Sequence, residues 1–577
     1  MLDIFRFAKK LYVQALRNIL SMIHKITLGI HIGHDRSAAI VRDGKLIAHL
    51  AQERIDRIKH SNSPEIPYEA IKKLLEWCNI KPDQISGIGI SYTNVVIEDI
   101  LNQLSDELRA TLGINDIPII GVGHHLAHAY STYFTSDFNK SLILVADGAG
   151  DIVGAKIEAE SIYTGHAGKI KLEEQRLQDF GLMKTDRRNS FYPDYMHQLD
   201  LNKEISIGRK YEQLTYLIGF KHGEAGKTMG LASYAKPLME LEQPTFSGLD
   251  FSLTYQEYLD KVNEFRVQHR LSWYELLSTQ KESIASLAQL IAENYILTIL
   301  NSINSKGDYS DLCLAGGVFL NCLLNQRILE KAKFKRIHII PAAGDDGQSV
   351  GTAIYAYHQV FEGINPSSAP LPYLGISHSD MAIEERLKYF KLPFQKLNDS
   401  DLCAFLAKSL SEGQTVGMMR GRSEMGPRAL CHRSIITDSR PESMKDKLNK
   451  LKGRELFRPF APVVTAEDEF KYFELIQSSP YMLLATKTKE QYKEALAAVT
   501  HVDGTARVQS VLKEHDPFMH QLLESFKSLT GYSVLLNTSF NIAGDPIVES
   551  PHDAISAFLN CDLDLLVMEN YLVIKSK

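Results

Sequence analysis

The chain has 577 residues, 44% of them hydrophobic and 23% charged, so it is long enough for two or more domains that each bury a core. Its formal net charge of −6, from 64 basic and 70 acidic side chains, excludes the global basic field that non-specific nucleic-acid binding requires. The 6 cysteines include no C-x-x-C pair, which excludes a zinc ribbon and favours a reducing, cytoplasmic environment.

Residues 1–25 are predicted to form a basic amphipathic helix. Apolar residues recur at helical spacing from Ile4 to Ile19, while Arg6, Lys10 and Arg17 take the opposite face. The segment has no uninterrupted apolar stretch of the kind found in signal peptides and membrane spans. We expect an extension that docks on its own domain, with attachment to a membrane surface or to a partner as the alternative.

From residue 26 the pattern predicts strands around a polar loop. The strands "ITLGIHIG" and "SAAIV" flank a loop that carries His34 and Asp35, and a turn at Asp43-Gly44 leads into the strand "KLIAHLAQE". A lone histidine in such a loop is usually a hydrogen-bonded structural residue. The functional alternative is a general base, because a neutral imidazole accepts a proton near pH 7.

The stretch "GVGHHLAHAY" places His124 and His128 four residues apart. In a helix both imidazoles project from one face, as two metal ligands must, and a polar helix face is the alternative. The glutamate of an H-E-x-x-H metalloprotease motif is missing. The adjacent His125 is the least secure of the three as a ligand.

A later strand, "SLILVADGAGD", ends at Asp147 and repeats the strand-loop pattern of residues 26–35. Two such units aimed at one cleft predict a duplicated α/β domain. Asp147 and Asp345 of "GDDGQ" would then join His124 and His128 in a mixed-ligand metal site. Imidazole and carboxylate ligands suit iron, manganese or zinc better than calcium.

The segment "ESIASLAQLIAENYILTILNSI" (282–303) predicts a long helix, followed by the strand "DLCLAGG" and a helix near "VFLNC". At this junction Gly316, Gly317 and Asn321 would let a ribose or adenine lie on the backbone, and a tight helix start is the alternative. The stretch "INPSSAPLPYLG" has the composition of a linker. We therefore place the first domain at 26–365, a linker at 366–372 and a second α/β domain at 373–577.

The second domain concentrates arginines beside glycine and proline loops. In a chain that is net acidic, this pattern predicts bidentate binding of several phosphates, whereas a solvated face would mix lysine and glutamate. The strand end "LLNTSFNIAGDP" adds small hydrogen-bonding groups suited to a carbonyl or phosphate. The residues concerned are Arg422, Arg428, His432, Arg454, Arg458, Arg507, Asn537, Ser539 and Asn541.

Nine motifs stand in the order found in the carbamoyltransferases of nodulation-factor and antibiotic biosynthesis, and over residues 27–577 the chain resembles this NodU family. The motifs are "GHDRSAAI", "GHHLAHA", "VADGAGD", "GKTMGLASYAKP", "LAGGVFLNC", "AGDDG", "GRSEMGPRALCHRS", "FRPFAP" and "LNTSFN".

The resemblance implies an actin-like ATPase (ASKHA) first domain, similar to the tRNA threonylcarbamoyl-transfer protein, with Fe(II) held by His124, His128, Asp147 and Asp345. The second domain would have the YrdC-like α/β fold of threonylcarbamoyl-adenylate synthase. The resemblance further implies a reaction in two steps. The second domain would make carbamoyl adenylate from carbamoyl phosphate and Mg-ATP, and the first would pass the carbamoyl group to a hydroxyl of a small-molecule natural product.

The resemblance also implies roles for individual residues. His34, with Asp35, would take the proton of the acceptor hydroxyl. Nucleotide or carbamoyl adenylate would be contacted by Lys59, Gly148, Lys227, Gly316, Gly317 and Asn321. The nine polar residues named above in the second domain would bind carbamoyl phosphate and ATP.

Two features depart from the family pattern: Cys431 stands where glycine is usual in "RALGHRS", and residues 1–25 precede the usual start. The rival interpretations are carbamoyl transfer to tRNA or in hydrogenase maturation, and a non-catalytic nucleotide-binding regulator. The lack of C-x-x-C disfavours hydrogenase maturation, and the complete ligand set disfavours a regulator. The acceptor stays open among aminoglycosides, macrolides, ansamycins, oligosaccharides and saxitoxin-type alkaloids. We expect no nucleic-acid partner, and a monomer or homodimer.

Overall fold

The computed structural model describes residues 24–114, 116–179, 200–304, 307, 309–361 and 372–575. The helix predicted for residues 1–25 and the linker predicted for 366–372 lie outside the described residues, except for residues 24, 25 and 372.

The N-terminal part, up to residue 361, has the strands β1 (Ile26–Ile32), β2 (Ser37–Arg42), β3 (Lys45–Ala51), β4 (Gly87–Tyr92), β5 (Ile119–Gly121), β6 (Lys140–Ala146), β7 (Ile152–Val153), β8 (Lys156–His166), β9 (Lys169–Asp179), β10 (Asp311–Ala315) and β11 (Arg336–Ile339). The helices of the same part are α1 (Glu53–Asp56), α2 (Tyr68–Trp77), α3 (Ile97–Leu112), α4 (His124–Phe134), α5 (Ile207–Leu217), α6 (Ala225–Ala232), α7 (Tyr255–Gln268), α8 (Trp273–Thr279), α9 (Lys281–Asn304), α10 (Cys322–Lys331) and α11 (Gln348–Phe361).

The C-terminal part has the strands β12 (Gln395–Lys396), β13 (Val416–Met419), β14 (Arg433–Asp438), β15 (Ala461–Thr465), β16 (Ala485–Lys487), β17 (Thr505–Arg507), β18 (Gln509–Val511), β19 (Val534–Ser539), β20 (Leu565–Met568) and β21 (Tyr571–Ile574). Its helices are α12 (Asp380–Tyr389), α13 (Asp399–Ser411), α14 (Ser443–Leu451), α15 (Glu469–Tyr472), α16 (Pro517–Thr530) and α17 (Pro551–Asn560).

Two sheets of the N-terminal part share one topology. The strand order β3-β2-β1-β4-β5 of the first sheet is repeated by β9-β8-β6-β10-β11 in the second, where β7 also pairs with β8. In both sheets the first three strands in this order are antiparallel neighbours. The last two strands run parallel to the third, which is β1 in the first sheet and β6 in the second. The predicted duplication is confirmed. It places His34 after β1 and Asp147 after β6, which are equivalent positions.

Helices α4 and α11 lie between the two sheets and pack on each other. Helix α11 covers β1, β2 and β4, while α4 covers β6, β8 and β10, so each helix packs on the sheet of the other repeat. Glycine permits the close approach, because a Cβ on Gly351 would overlap the carbonyl oxygen of Ala127 in α4. Backbone contact between the helices therefore fixes the positions of the residues at their starts.

We expect Gly351→Ala to destabilise the N-terminal part by about 1–3 kcal/mol, because the methyl group forces α11 away from α4. The melting temperature measured by calorimetry should fall. Gly226→Ala in α6 is the matched control, since its methyl group meets open space. Equal melting temperatures for the two variants would show that the helices tolerate separation.

The C-terminal part is built on a mixed sheet of order β12-β21-β20-β13-β14-β19-β15-β18. Buried side chains alternate between its two faces, as the period of a strand requires. Leu535 and Val567 pack with α13 and α16, whereas Leu536 and Leu566 pack with the cluster that contains Ile555 of α17. This part is the second α/β domain that the sequence predicts.

Helix α9 is long and apolar enough to cross a membrane by length and composition. However, 67% of its most apolar window is buried inside the protein, and Leu287, Ile291 and Ile296 belong to the largest apolar cluster of the N-terminal part. Its apolar character is explained by its place in that core. The helix predicted for residues 282–303 is confirmed almost to its ends.

Candidate active site

Four predicted metal ligands meet at the starts of α4 and α11. His124 and His128 lie on the first two turns of α4, Asp147 follows β6, and Asp345 lies in the 3₁₀ turn before α11. Their ligand atoms all lie within 4.8 Å of one another. The side chains of the two histidines are fully buried, and those of the two aspartates are 14% and 11% exposed, so the aspartates are the solvent-accessible members of the group.

The imidazole nitrogens face the carboxylates at distances that suit neighbouring ligands of one ion. His128 Nε2 lies 3.1 Å from Asp147 Oδ2 and 3.3 Å from Asp345 Oδ1. His124 Nε2 lies 3.5 and 3.4 Å from the same two oxygens. Atoms bound to one metal at about 2.0–2.2 Å are separated by about 3 Å when they are adjacent. The four residues therefore fit a divalent metal.

The electrostatics of the group also suit a cation. Burial alone would lower the pKa of His124, but Asp345 and Asp147 raise it well above its usual value. Burial would raise the pKa of Asp345, but His124 and His128 hold it well below its usual range. With neutral imidazoles the group carries two negative charges in a buried place, which a divalent cation would balance.

His31, which the sequence analysis missed, connects this group to the neighbouring loop. Its Nε2 donates to the carbonyl of His34 at 3.1 Å and lies 3.3 Å from Thr93 Oγ1, while Nδ1 accepts from Ser91 at 2.9 Å. Burial lowers the pKa of His31 to about 3, so the ring is neutral. Thr93 in turn lies 3.4 Å from Asp345 Oδ2. A polar residue inside the buried strand β1 was the available signal.

His125 does not join the metal group. Its Nδ1 lies 2.7 Å from Ser161 Oγ, and burial lowers its pKa to about 4. Asp151 of the "VADGAGD" motif has a structural place as well, since it accepts from the backbone N–H of His124 at 2.7 Å and so caps α4. These contacts hold the ligand helix against the second sheet.

His34 and Asp35 form a hydrogen-bonded pair beside the metal group. Asp35 Oδ2 lies 3.0 Å from His34 Nδ1, and Asp35 Oδ1 lies 3.0 Å from His60 Nδ1. His34 Nε2 has no hydrogen-bond partner among the described residues. Burial alone would lower the pKa of His34, but Asp35 raises it to about 9. The carboxylate thus holds Nδ1–H, and once the ring is neutral, above that pKa, Nε2 is the nitrogen that can accept a proton.

Asp35 itself has a left-handed backbone with a φ of 55°, and so has His60 with a φ of 63°. Such a backbone costs of order 1 kcal/mol for a residue other than glycine. The hydrogen bond of the Asp35 N–H to the carbonyl of His60, at 3.0 Å, ties the two strained positions together. The loop is therefore held in one conformation around His34.

The glycine-rich loop after β10 packs against the end of β6. A Cβ on Gly316 would overlap the carbonyl oxygen of Ala146, and one on Gly317 would lie 3.1 Å from Asp147 Oδ1. Asn321 caps α10 by accepting from the N–H of Leu324 at 3.1 Å. The tight helix start is thus present, and the loop also lies beside the metal group.

A Cβ added to Gly148 would have no neighbouring atom within 4 Å. Its carbonyl oxygen accepts from Gln178 at 2.8 Å, Ser206 at 3.0 Å and Arg209 at 2.9 Å. The backbone next to Asp147 is therefore rigid, while its outer face is accessible.

A cluster of cations lies where the two parts of the chain meet. Arg428 donates to the carbonyl of Leu320 in the glycine-rich loop at 3.1 Å, and Lys227 of α6 contacts Glu455 at 2.6 Å. Burial and the other arginines lower the pKa of Arg428 and of Arg454 to about 9. The cluster consists of Arg428, Arg454, Arg458 and Arg507, with Lys227, Lys452 and Lys59 around it.

Lys452 is a further member that the sequence analysis missed. It is 3% exposed, and its Nζ donates to Ser539 Oγ at 3.2 Å and to Asn541 Oδ1 at 2.9 Å. Burial, Arg454 and Arg458 lower its pKa well below the usual value. Its position in "LKGRELF", two residues before Arg454, was the signal that could have identified it. Cations that lower one another's pKa in a buried place create a strong preference for an anion.

Arg422 is not brought to this cluster. Its guanidinium donates to the carbonyls of Ile47 at 2.8 Å and Gly375 at 2.8 Å, and lies 4.1 Å from the Trp77 ring centre. These contacts hold the second domain against β3. The guanidinium donors that a phosphate would need are bonded to backbone carbonyls. The assignment of Arg422 to carbamoyl phosphate stays a prediction, and the structure places its donors on backbone carbonyls.

His432 also has partners of its own. It stacks on Tyr373 with 3.6 Å between ring centres, and its Nδ1 donates to the carbonyl of Arg422 at 2.7 Å. Burial would lower its pKa, but Asp516, 3.5 Å away, raises it. These contacts, all with residues of the second domain, hold His432 in place beside Arg422.

Cys431, where the resemblance expects glycine, has a φ of 84°. The backbone thus takes the conformation that glycine favours, although the residue carries a side chain. The side chain is buried, and its sulfur lies 3.5 Å from the amide nitrogen of Asn537. Asn537 also donates to Gln509 at 2.7 Å, while its Oδ1 has no partner among the described residues. The loop conformation therefore survives the substitution.

Comparison with known proteins gives consistent matches. Two family profiles match the chain: one described as Carbamoyltransferase N-terminus covers residues 88–354, and one described as Carbamoyltransferase C-terminus covers residues 407–575.

Three relatives show how far the similarity extends. An uncharacterised protein of Synechocystis sp. is 32% identical over 94% of this chain and 95% of its own length. Nodulation protein NolNO of Sinorhizobium fredii is 32% identical over 96% of this chain and 81% of its own. A 3′-hydroxymethylcephem-O-carbamoyltransferase of Amycolatopsis lactamdurans is 25% identical over 91% of this chain and 94% of its own.

Proposed function

This chain belongs to the carbamoyltransferase family, and on that premise we propose that it is an ATP-dependent O-carbamoyltransferase acting on a hydroxylated small molecule. The observation that carries the proposal is the position of the two groups. The cation cluster touches the glycine-rich loop through Arg428 and Leu320, and the same loop packs against Asp147 of the metal group. An intermediate made at the first group would lie next to the second.

The cation cluster would carry out the first step. Carbamoyl phosphate is hydrolysed to carbamate and phosphate, and a carbamate oxygen attacks the α-phosphorus of ATP, which forms carbamoyl adenylate and releases pyrophosphate. Arg454, Arg458, Arg507 and Lys452 would bind the anionic reactants and stabilise the charge that develops on the phosphoryl oxygens. Ser539 would be held in place by Lys452.

The N-terminal group would carry out the second step. His124, His128, Asp147 and Asp345 would hold Fe(II), which when bound supplies a Lewis acid for a phosphate oxygen. The chain's own residues then have distinct tasks. The glycine-rich loop and Gly148 would support the nucleotide, and His34 Nε2 would take the proton of the acceptor hydroxyl as its oxygen attacks the carbamoyl carbon and AMP leaves.

His34→Asn is expected to spare carbamoyl-phosphate-dependent pyrophosphate release and to slow transfer by about 10²–10⁴-fold, the usual contribution of a general base. Pyrophosphate release and carbamoylation of a screened panel of hydroxylated acceptors are measured separately. Equal loss in both steps would contradict the assignment of His34 to transfer alone.

The transfer rate should depend on pH through His34. Because only the neutral imidazole accepts a proton, the rate is expected to rise about tenfold per pH unit and to level off near the pKa of about 9. In Asp35→Asn the plateau should begin at lower pH, since the carboxylate that raises the pKa is gone. A pH–rate profile of transfer tests this, and an unchanged midpoint in Asp35→Asn would contradict it.

A further inference from the structure

Gln348, the first residue of α11, is fully buried against the metal group. Its Nε2 lies 2.7 Å from His124 Nε2, 3.2 Å from His128 Nε2 and 3.4 Å from Asp345 Oδ1. Its Oε1 has no hydrogen-bond partner among the described residues. One end of the carboxamide thus contacts three ligand atoms, while the other end is buried and unsatisfied.

These three distances are those of a coordination position. Adjacent atoms bound to one cation at about 2.0–2.2 Å lie about 3 Å apart. The terminal atom of Gln348 therefore stands beside His124, His128 and Asp345 as a neighbouring ligand does.

The duplication of the fold supplies a second argument. Helix α4 follows β5 of the first sheet, and α11 follows β11 of the second, so the starts of the two helices are equivalent. The start of α4 provides the ligand pair His124 and His128. The start of α11 provides Asp345 and, three residues later, Gln348. With Gln348 as a ligand, the start of each helix would provide two of the metal ligands.

The chemistry of the amide decides which atom points inward. A half-turn about the terminal bond exchanges nitrogen and oxygen with little change of position. Amide hydrogens donate to the lone pairs of His124 and His128, but a cation at the centre repels those hydrogens and attracts the carbonyl oxygen. With a metal bound, Oε1 is therefore the inward atom.

We propose that Oε1 of Gln348 is a further protein ligand of the metal, raising its coordination number above the four preferred by zinc and so favouring Fe(II) or Mn(II) over Zn(II). The inference rests on the metal site of the proposed function and deepens it. It assigns metal selectivity to a neutral side chain on α11.

The test uses the full-length protein freed of metal and titrated with Co(II), whose visible absorption is weak in five- or six-coordinate sites and strong in tetrahedral ones. Wild type should give the weak spectrum. Gln348→Leu should give the strong spectrum and lose about 10- to 100-fold in affinity for Fe(II) relative to Zn(II). Gln348→Glu keeps an oxygen and should keep the weak spectrum. The control is Gln326→Leu, a buried glutamine that donates to Glu330 on α10.

A tetrahedral spectrum in the wild type would overturn the proposal, and so would identical spectra and metal preferences in wild type and Gln348→Leu. Both outcomes leave the four-residue site intact. Failure of the wild type to bind any divalent ion would instead overturn the metal site of the proposed function. If Gln348→Leu does not fold, Gln348→Asn decides: its shorter side chain should give the strong spectrum, and a weak one would overturn the proposal.

Discussion

Replacement of His128 by alanine is expected to abolish stoichiometric metal binding and to reduce carbamoyl transfer by about 10³-fold or more, while pyrophosphate release at the cation cluster persists. His128 is the ligand whose Nε2 lies nearest to both carboxylates, at 3.1 and 3.3 Å. Its removal leaves Asp147 and Asp345 facing each other with one imidazole, and like charges then oppose closure of the site. Elemental analysis and the two separate assays measure the effects.

The matched control for this variant is His166→Ala, which removes an exposed imidazole at the end of β8. It should retain metal and both activities. Full transfer activity in His128→Ala without bound metal would show that the transfer reaction does not use the metal.

Replacement of Arg507 by methionine is expected to lower carbamoyl-phosphate-dependent pyrophosphate release by about 10²–10³-fold, because a charge directed at the phosphates is lost. The same variant should have an unchanged or higher melting temperature. Arg507 lowers the pKa of Arg428, Arg454 and Arg458, so its removal relieves repulsion in a buried cluster. A residue kept for function at the expense of stability behaves in this way.

Arg386→Met serves as its control, since Arg386 is an exposed arginine of α12 in the same part of the chain. It should change neither quantity. A fall of both melting temperature and pyrophosphate release in Arg507→Met would indicate that Arg507 is structural.

Local patterns predicted much of this molecule because the forces concerned act within a few residues. The four-residue spacing of His124 and His128 becomes a shared helix face, and the polar ends of β1 and β6 become neighbouring loops through the duplication. The strand pair around Asp43 forms as the turn residues require, with a φ of 51° at Asp43.

The residues that were missed, or expected in the wrong place, depend on contacts between distant parts of the chain. His31 belongs to a buried strand. Its link to the metal group depends on Thr93, which the fold places between His31 and Asp345. Arg422 stands in an arginine-rich motif, yet it donates to one backbone carbonyl of β3, that of Ile47, 375 residues earlier in the chain. A sequence shows which donors exist, but the fold decides which acceptor each donor meets.

The contact between the two parts of the chain links the two proposed steps. Arg57 donates to the carbonyls of Ile547 at 2.7 Å and Pro546 at 2.8 Å, and Arg54 donates to the carbonyl of Gly426 at 3.0 Å. Together with Arg422 these contacts hold both groups in one relative position. In the proposed reaction, carbamoyl adenylate formed at the cation cluster would then have only a short way to move to the metal group.

The two-step reaction is tested most directly by incubating isotopically labelled carbamoyl phosphate with ATP and a panel of hydroxylated acceptors and identifying the products by mass spectrometry. The proposed reaction gives AMP, pyrophosphate and phosphate in equal amounts with a labelled carbamoyl ester of the acceptor, and labelled carbamoyl adenylate when the acceptor is omitted. Formation of ADP in place of AMP, or AMP release that does not depend on carbamoyl phosphate, would contradict it.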